Sequence, residues 1–193
     1  MINIDVAIDY MYDLRAKNIR YSMDYSRTGV DGTGDCSGTL YAALRKAGAT
    51  NAGWVLNTDS MHDWLLKNGF RLIARNQEWH AKRGDIVIFG EKGKSANAAG
   101  HVVIFINNTQ IIHCTWKSDA VNGVFVENEA TAYPYFSLLG LQPYANAFVL
   151  FYIASYAISI TENLGQMGVP IPTFVKERIE KLRDLADKGD EGK

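Results

Sequence analysis

The residues of this chain with the clearest capacity for chemistry are Cys36, His101 and His113. Cys36 lies in Gly34-Asp35-Cys36-Ser37-Gly38, where a glycine-rich loop gives way to an apolar helical pattern. A thiol at a helix start meets free backbone N–H groups, and that field favours the thiolate, the nucleophilic form of cysteine. A cysteine hydrolase needs that thiolate, a base that cycles its proton and a group that orients the base. The competing reading of a free cysteine is a small buried apolar side chain. Flanking Asp35 and Ser37, with glycines on both sides, are poor company for such a residue.

The two histidines supply the other parts. His101 opens the apolar run His101-Val102-Val103-Ile104-Phe105-Ile106, and Asn107-Asn108-Thr109 then turns the chain into Gln110-Ile111-Ile112-His113-Cys114. A three-residue turn of this kind makes an antiparallel hairpin. Pairing around it matches residue 106 with 110 and residue 103 with 113. Odd positions then share a face, so His101 and His113 point to one side, a diagonal step apart. If that face is packed, His101 can point at the start of the helix that carries Cys36. Two histidines on one face also suit a metal. No HxxxH or HxH pair accompanies them and the acids are scattered, so the expectation is chemistry with neither metal nor cofactor. Cys114 points to the opposite face and reads as core. His62 and His80 read as surface or structural. Tyr21 is open between packing and a hydroxyl that reaches the cleft.

The elements that must position these groups follow from period and punctuation. Residues 4 to 16 read as a helix, with Ile4, Ala7, Met11 and Leu14 on one face. Residues 19 to 23 look extended, and residues 24 to 35 form a polar loop. A second helix runs from Cys36 to Ala47 with Asp35 as N-cap, Gly48 as C-cap and a stripe of Leu40, Ala43, Leu44 and Ala47. A third spans Asp59 to Lys67, with Thr58 as its cap. Strands follow at 85–89, 101–106, 110–114 and 123–126. The loop from Gly90 to Gly100 is rich in small and charged residues and is expected to be exposed and mobile. Helices first and strands after indicate an α+β domain with an antiparallel sheet.

Length and composition set the outer bounds. The 193 residues, 47% hydrophobic and 21% charged, suit one domain with an appendage. A net charge of -1 gives no basic face for nucleic acid. Two cysteines are too few for a disulfide framework or a four-cysteine zinc site. The acidic, helix-like start MINIDVAIDYMYDL is not a signal peptide, which places the chain first in the cytoplasm. Residues 130 to 161 carry no charged side chain. Within them, residues 144 to 161 are long enough for a membrane span, and a strand at 147–152 is the competing reading. A breaker-rich stretch from Asn163 to Pro172 precedes an amphipathic helix from Thr173 to Leu185 and a polar tail.

Asp35-Cys36-Ser37-Gly38, Gly100-His101-Val102-Val103-Ile104-Phe105-Ile106 and Ile111-Ile112-His113 together resemble the papain-like cell-wall cysteine hydrolases of the NlpC or CHAP-like type. Lys82-Arg83-Gly84-Asp85-Ile86 resembles that family's Gly-Asp turn. Tyr21-Ser22-Met23-Asp24-Tyr25 and Gly53-Trp54-Val55-Leu56-Asn57-Thr58 are similar to the amidase domains of streptococcal and enterococcal phage endolysins. The resemblance covers about residues 1 to 133. It implies a papain-like fold with N-terminal helices packed on an antiparallel sheet, and a peptidoglycan substrate. It implies Cys36 as nucleophile, His101 as base and His113 as the group that holds the His101 ring. It gives the Cys36 N–H and the Tyr21 hydroxyl to the oxyanion, and Asp35 and Ser37 to the cleft lining.

Phe151-Tyr152-Ile153-Ala154-Ser155 through Asn163, then Gly168-Val169-Pro170-Ile171-Pro172 and the charged helix, resemble the C-terminal end of a phage holin. The expected organisation is a hydrolase domain at residues 1–140 and a holin-like apolar segment with a C-terminal helical extension at 141–193. The resemblance favours N-acetylmuramoyl-L-alanine amidase activity, with a stem-peptide endopeptidase as the nearest alternative. A non-enzymatic lysis factor, associated with the membrane through residues 144–161, is the alternative from another class. The expected place of action is the cell wall, reached from the host cytoplasm or from its membrane.

Overall fold

The computed structural model describes residues 2–137 continuously and isolated positions between 153 and 177. The chain divides into two units, Met1–Gly140 and Leu141–Lys193. The first begins with α1, Ile4–Ala16, whose Asn3 side chain accepts the N–H groups of Asp5 and Val6. Ala7, Ile8, Met11 and Leu14 are its buried stripe. Two short strands, β1 (Arg20–Tyr21) and β2 (Thr33–Gly34), pair in parallel across the glycine-rich loop. Helices α2 (Cys36–Lys46) and α3 (Thr58–Lys67) follow.

Four strands then build an antiparallel sheet in sequence order: β3 (Ile86–Phe89), β4 (His101–Phe105), β5 (Gln110–Ser118) and β6 (Val121–Asn128). The unit is therefore α+β. The β4–β5 register pairs Ile104 with Ile112 and Phe105 with Ile111, the register that the turn at 107–109 predicts. The last described element is α4, Glu129–Phe136.

The sheet is covered on both faces. Val102, Ile104, Ile112, Cys114 and Val124 pack with α1 and α2 in the larger core. Phe89, Val103, Phe105 and Ile111 face the other way and pack with Ala132 and Phe136 of α4. Apolar side chains on both sides explain why β4 reads as a continuous apolar run rather than an alternating one.

Four details differ from the sequence reading. Asn57, not Thr58, caps α3, in a reciprocal box with Ser60. Asn57 is extended and Thr58 is already helical, which frees the Thr58 hydroxyl for another partner. Strands β5 and β6 are longer than the apolar runs that announce them, because the ladder continues through polar residues to Ser118 and Asn128. The loop from Gly90 to Gly100 is pinned to α3. Asp59 accepts the Gly93 N–H at 2.6 Å and the Ser95 hydroxyl at 3.1 Å, and Lys92 pairs with Asp63 at 2.7 Å. Finally, α4 occupies a stretch in which uncharged residues and Pro134 gave no helical period.

Among the described residues, no helix is long and apolar enough to cross a membrane. Most of the apolar run at 144–161, the strand reading at 147–152 and most of the helix expected at Thr173–Leu185 lie outside the described residues.

Candidate active site

The start of α2 is built before the thiol is placed. Asp35 caps the helix by accepting the Gly38 N–H at 2.6 Å. Its second oxygen meets Arg27 Nε at 2.6 Å. Arg27 also donates to the Ser37 hydroxyl at 3.0 Å and to the carbonyls of Val55 and Leu56 at 3.1 and 3.0 Å. One guanidinium thus joins the glycine-rich loop, the helix N-terminus and the segment that leads into α3. Gly38 is required here, because a Cβ would come within 2.3 Å of the Arg27 carbonyl oxygen. Asp35 and Ser37 are both buried, and their hydrogen bonds run inward to Arg27 and to the helix start.

Cys36 is the first residue of α2 and is buried, at 5% exposure. Its sulfur lies 3.8 Å from Thr58 Oγ1 and is approached by the backbone N–H groups of Ser37 and Val102. Burial pushes the thiol up to about 11, the Asp35 carboxylate adds to the rise, and the three hydrogen bonds oppose it. This corrects the expectation of a resting thiolate. A helix N-terminus contributes at most about 2 kcal/mol, and desolvation together with a neighbouring carboxylate outweighs it. In the free protein, iodoacetamide is therefore expected to label Cys36 slowly at pH 7 and to accelerate only as the pH climbs toward about 11. Mass spectrometry of timed reactions measures this, and fast labelling at neutral pH contradicts it.

The histidines meet as the hairpin register predicts. His101 Nε2 lies 2.7 Å from His113 Nδ1, with both rings buried. They stand on the sheet face that carries Val103 and Phe105. That face packs under α4, whereas Cys36 belongs to the core on the α1 and α2 side. Sequence parity gives the shared face but not which layer covers it. The sulfur meets the N–H of Val102, the residue after His101, at the first rung of β4. The sulfur is hydrogen-bonded to Thr58 and to these backbone groups, not to an imidazole.

Beyond His113 lies a carboxylate that the sequence reading missed. His113 Nε2 is 3.4 Å from Glu127 Oε2, and Glu127 pairs with Lys117 at 2.6 Å. The His113–Glu127 contact is long, and among the described residues His113 Nε2 has no hydrogen-bond partner, so the contact is mainly electrostatic. Glu127 sits opposite Ile111 in the β5–β6 ladder, one diagonal step from His113 on the same face. The signal was present in Val124-Phe125-Val126-Glu127, had the strand been extended by one residue. His113 and Lys117 hold the Glu127 carboxyl down at about 2.

Polarity then assigns the protons along this row. A carboxylate only accepts, so the Glu127 charge favours the tautomer with hydrogen on His113 Nε2 and the lone pair on Nδ1. In that tautomer His101 donates from Nε2 and its own Nδ1 keeps a lone pair. Burial, reinforced by His113 and Lys117, lowers the His101 imidazole well below its ordinary value, which keeps it neutral. Burial also lowers His113, with Glu127 opposing.

Tyr21 stands close to the thiol. Its backbone N–H donates to Asn122 at 2.7 Å. Burial, Cys36 and Asp35 raise its hydroxyl, so it remains a proton donor. Cys114 donates to the Gly34 carbonyl at 3.3 Å and is buried core, as its parity predicts. Both cysteines are free. Among the described residues, no group of acids, histidines and cysteines is arranged to hold a metal.

Residues 3–145 match the bacteriophage peptidoglycan hydrolase family, and residues 121–184 match the bacteriophage holin family. The lysin of Pneumococcus phage Dp-1 is 47% identical over 121 residues, which are 63% of this chain and 40% of that lysin. A probable holin of Bacillus phage phi105 is 48% identical over 42 residues, 22% of this chain and 31% of the holin. An uncharacterized protein of Bacillus subtilis, YqxH, is 50% identical over 36 residues, 19% of this chain and 26% of that protein. The chain spans less than half the length of each of these curated relatives. The hydrolase match, which takes in the helix start at Cys36, the histidine pair and Glu127, covers well over half of the sequence: the chain belongs to the bacteriophage peptidoglycan hydrolases and continues into a holin-family segment.

Proposed function

We propose that this chain is a lytic enzyme that cleaves the amide between N-acetylmuramic acid and L-alanine in peptidoglycan, with Cys36 as nucleophile and His101 as base. The observation that carries the reading is the hydrogen-bonded His101–His113 pair, at 2.7 Å, beside the residue whose N–H meets the Cys36 sulfur. The resting pair is a neutral thiol and a neutral imidazole. Proton transfer therefore accompanies attack rather than preceding it. Catalytic hydrogen bonds are often long in a free enzyme and tighten around substrate. Here substrate binding moves the sulfur off Thr58 and Val102 toward His101 Nδ1.

The sulfur attacks the amide carbonyl as His101 Nδ1 takes the thiol proton. The N–H of Cys36, which has no carbonyl partner within its helix, and the Tyr21 hydroxyl hold the oxyanion. The C–N bond then breaks, and His101 returns the proton to the leaving amine of L-alanine. Water attacks the thioester, with His101 again taking a proton, and the product carboxylate and the thiol are released. His113 keeps the His101 ring in the tautomer that leaves Nδ1 free.

A thiol at the start of α2, followed in the chain by a histidine at the start of an antiparallel strand, supports a papain-like arrangement for residues 1–140. The match of residues 121–184 to holins supports a membrane-associated role for residues 141–193. The enzyme would then reach the wall from the host cytoplasm or its membrane.

Mass spectrometry of Gram-positive walls digested by the full chain tests the reading. The expected products are stem peptides with a new N-terminal alanine and intact glycan strands. A different new N-terminus identifies an endopeptidase and overturns the bond assignment. New reducing-end sugar without any new amine overturns amide cleavage altogether.

A further inference from the structure

Phe136, the last residue of α4, lies against both histidines. Its ring is stacked on His101 with centroids 3.9 Å apart and planes within 7°. It meets His113 edge to face at 5.5 Å and 87°. Phe89 and Tyr135 contact the same ring at 5.7 and 4.9 Å, and Lys117 Nζ stands 5.3 Å from its centroid. Ordinary core packing would fill this space without a parallel stack. What the stack adds is orientation. One hydrogen bond at Nε2 anchors a single corner of the His101 ring and leaves its tilt free. A second ring, itself clamped on its other sides, fixes the plane and therefore the direction of the Nδ1 lone pair. It also removes water from one side of the base.

We propose that Phe136 is a positioning residue for His101, through which α4 completes the hydrolase site. The proposal rests on the reading of His101 as the base. The anchoring of α4 supports it. Asn128 caps the helix by accepting the Ala130 N–H, the Glu129 N–H donates to the Thr109 carbonyl at 2.8 Å, and Ala132 is fully buried. The helix is thus tied to the β4–β5 turn at one end and delivers Phe136 to the histidines at the other. Among the described residues, the titratable or charged groups that face His101 and Phe136 are His113 and Lys117 of β5, Glu127 of β6 through His113, and Tyr133 and Tyr135 of α4 through Phe89 and Phe136. Phe89, its partner on β3, is apolar. Phe136 adds no charge to this set, so it acts through shape and exclusion of water. Phe136 also falls in the segment, 121–145, where the hydrolase and holin matches overlap. The base is therefore oriented from the stretch in which the two families join.

The test is the His101 titration by NMR in the full chain, beside the pH dependence of wall lysis. Phe136→Ala is expected to hydrate His101 and raise its pKa by about one unit. The acidic limb of kcat/KM should move up in pH by the same amount. The kcat should fall at least roughly 10-fold with KM little changed, since a misdirected base harms the transition state rather than binding. Phe136→Tyr should retain both properties, and Phe136→Leu should keep the apolar contact but lose kcat. An unchanged His101 titration in Phe136→Ala, or equal kcat for the Leu and Tyr variants, overturns the proposal. Should Phe136→Ala lose its tertiary NMR dispersion, the Leu and Tyr comparison decides alone. Persistent lysis by His101→Ala would overturn the base assignment instead, and the NMR titration separates the two outcomes because it needs no activity.

Discussion

Cys36→Ser and His101→Ala are each expected to lower kcat/KM for wall lysis by about 10⁴-fold or more, and the double variant is expected to fall no further. A serine hydroxyl holds its proton far more tightly than a thiol. The base beside it is a neutral imidazole whose pKa burial already depresses, so it is a weak acceptor for such a proton. Removing His101 leaves a thiol that burial holds at about 11, without an acceptor. Each loss disables the same step, which is why the two do not add. Initial rates of turbidity loss on purified walls measure the effect, with circular dichroism to show that the variants fold. Losses within 10-fold for either single variant, or a double variant clearly worse than both, would remove the pair from the mechanism.

The acid side of the pH profile follows from the same geometry. His101 must be neutral to act as a base, and its burial lowers the pH at which it protonates. Lytic activity should therefore persist below the ordinary imidazole range of about 6.5 before it falls. The alkaline side should remain open well above pH 7, since the thiol does not ionise in the free protein until about 11.

What the sequence made legible is what depends on period and local chemistry. Asp35 announced the start of α2, and Gly48, at φ +105 just beyond the last turn, announced its end. A three-residue turn set the β4–β5 register and so brought His101 to His113. The reading weakened wherever a third layer decides. Parity showed that the histidines share a face, but not that α4 covers it. Phe136 was invisible, because an uncharged run containing Pro134 has no helical stripe. The thiol was read as acidic because its helix position is local, whereas the burial and the neighbouring carboxylate that reverse this belong to tertiary structure. Glu127 was lost to a strand boundary placed one residue early. Arg27 lay in a loop that looked merely polar, yet it makes four hydrogen bonds across three segments.

Glu127→Gln is expected to reduce kcat roughly 10²-fold with little change in KM. Glu127 is ionised throughout the working range, because His113 and Lys117 hold it at about 2. Its contribution is therefore a fixed negative charge and not a titration. That charge keeps hydrogen on His113 Nε2 and the lone pair on Nδ1, so that His101 donates from Nε2 and presents Nδ1. It also supports the positive charge that the row gains when His101 takes the thiol proton. A glutamine can present its NH₂ to His113 and invert every hydrogen bond in the row, which would place hydrogen on His101 Nδ1 and block the base. The analogous swap at a fully buried triad carboxylate costs about 10⁴-fold. The smaller expectation here reflects a 3.4 Å contact, a carboxylate side chain at 18% exposure and the competing claim of Lys117. Lys117→Met serves as the control. It strips Glu127 of its other partner without touching the tautomer, so it should cost less than Glu127→Gln, and a larger loss there would mean that Lys117 acts on substrate directly. The ¹⁵N shifts of His113 give a second reading. In the wild type Nε2 should be the protonated nitrogen and in Glu127→Gln the proton should move to Nδ1. An unmoved proton with an unchanged kcat would leave Glu127 as a surface partner of Lys117 and end the catalytic row at His113.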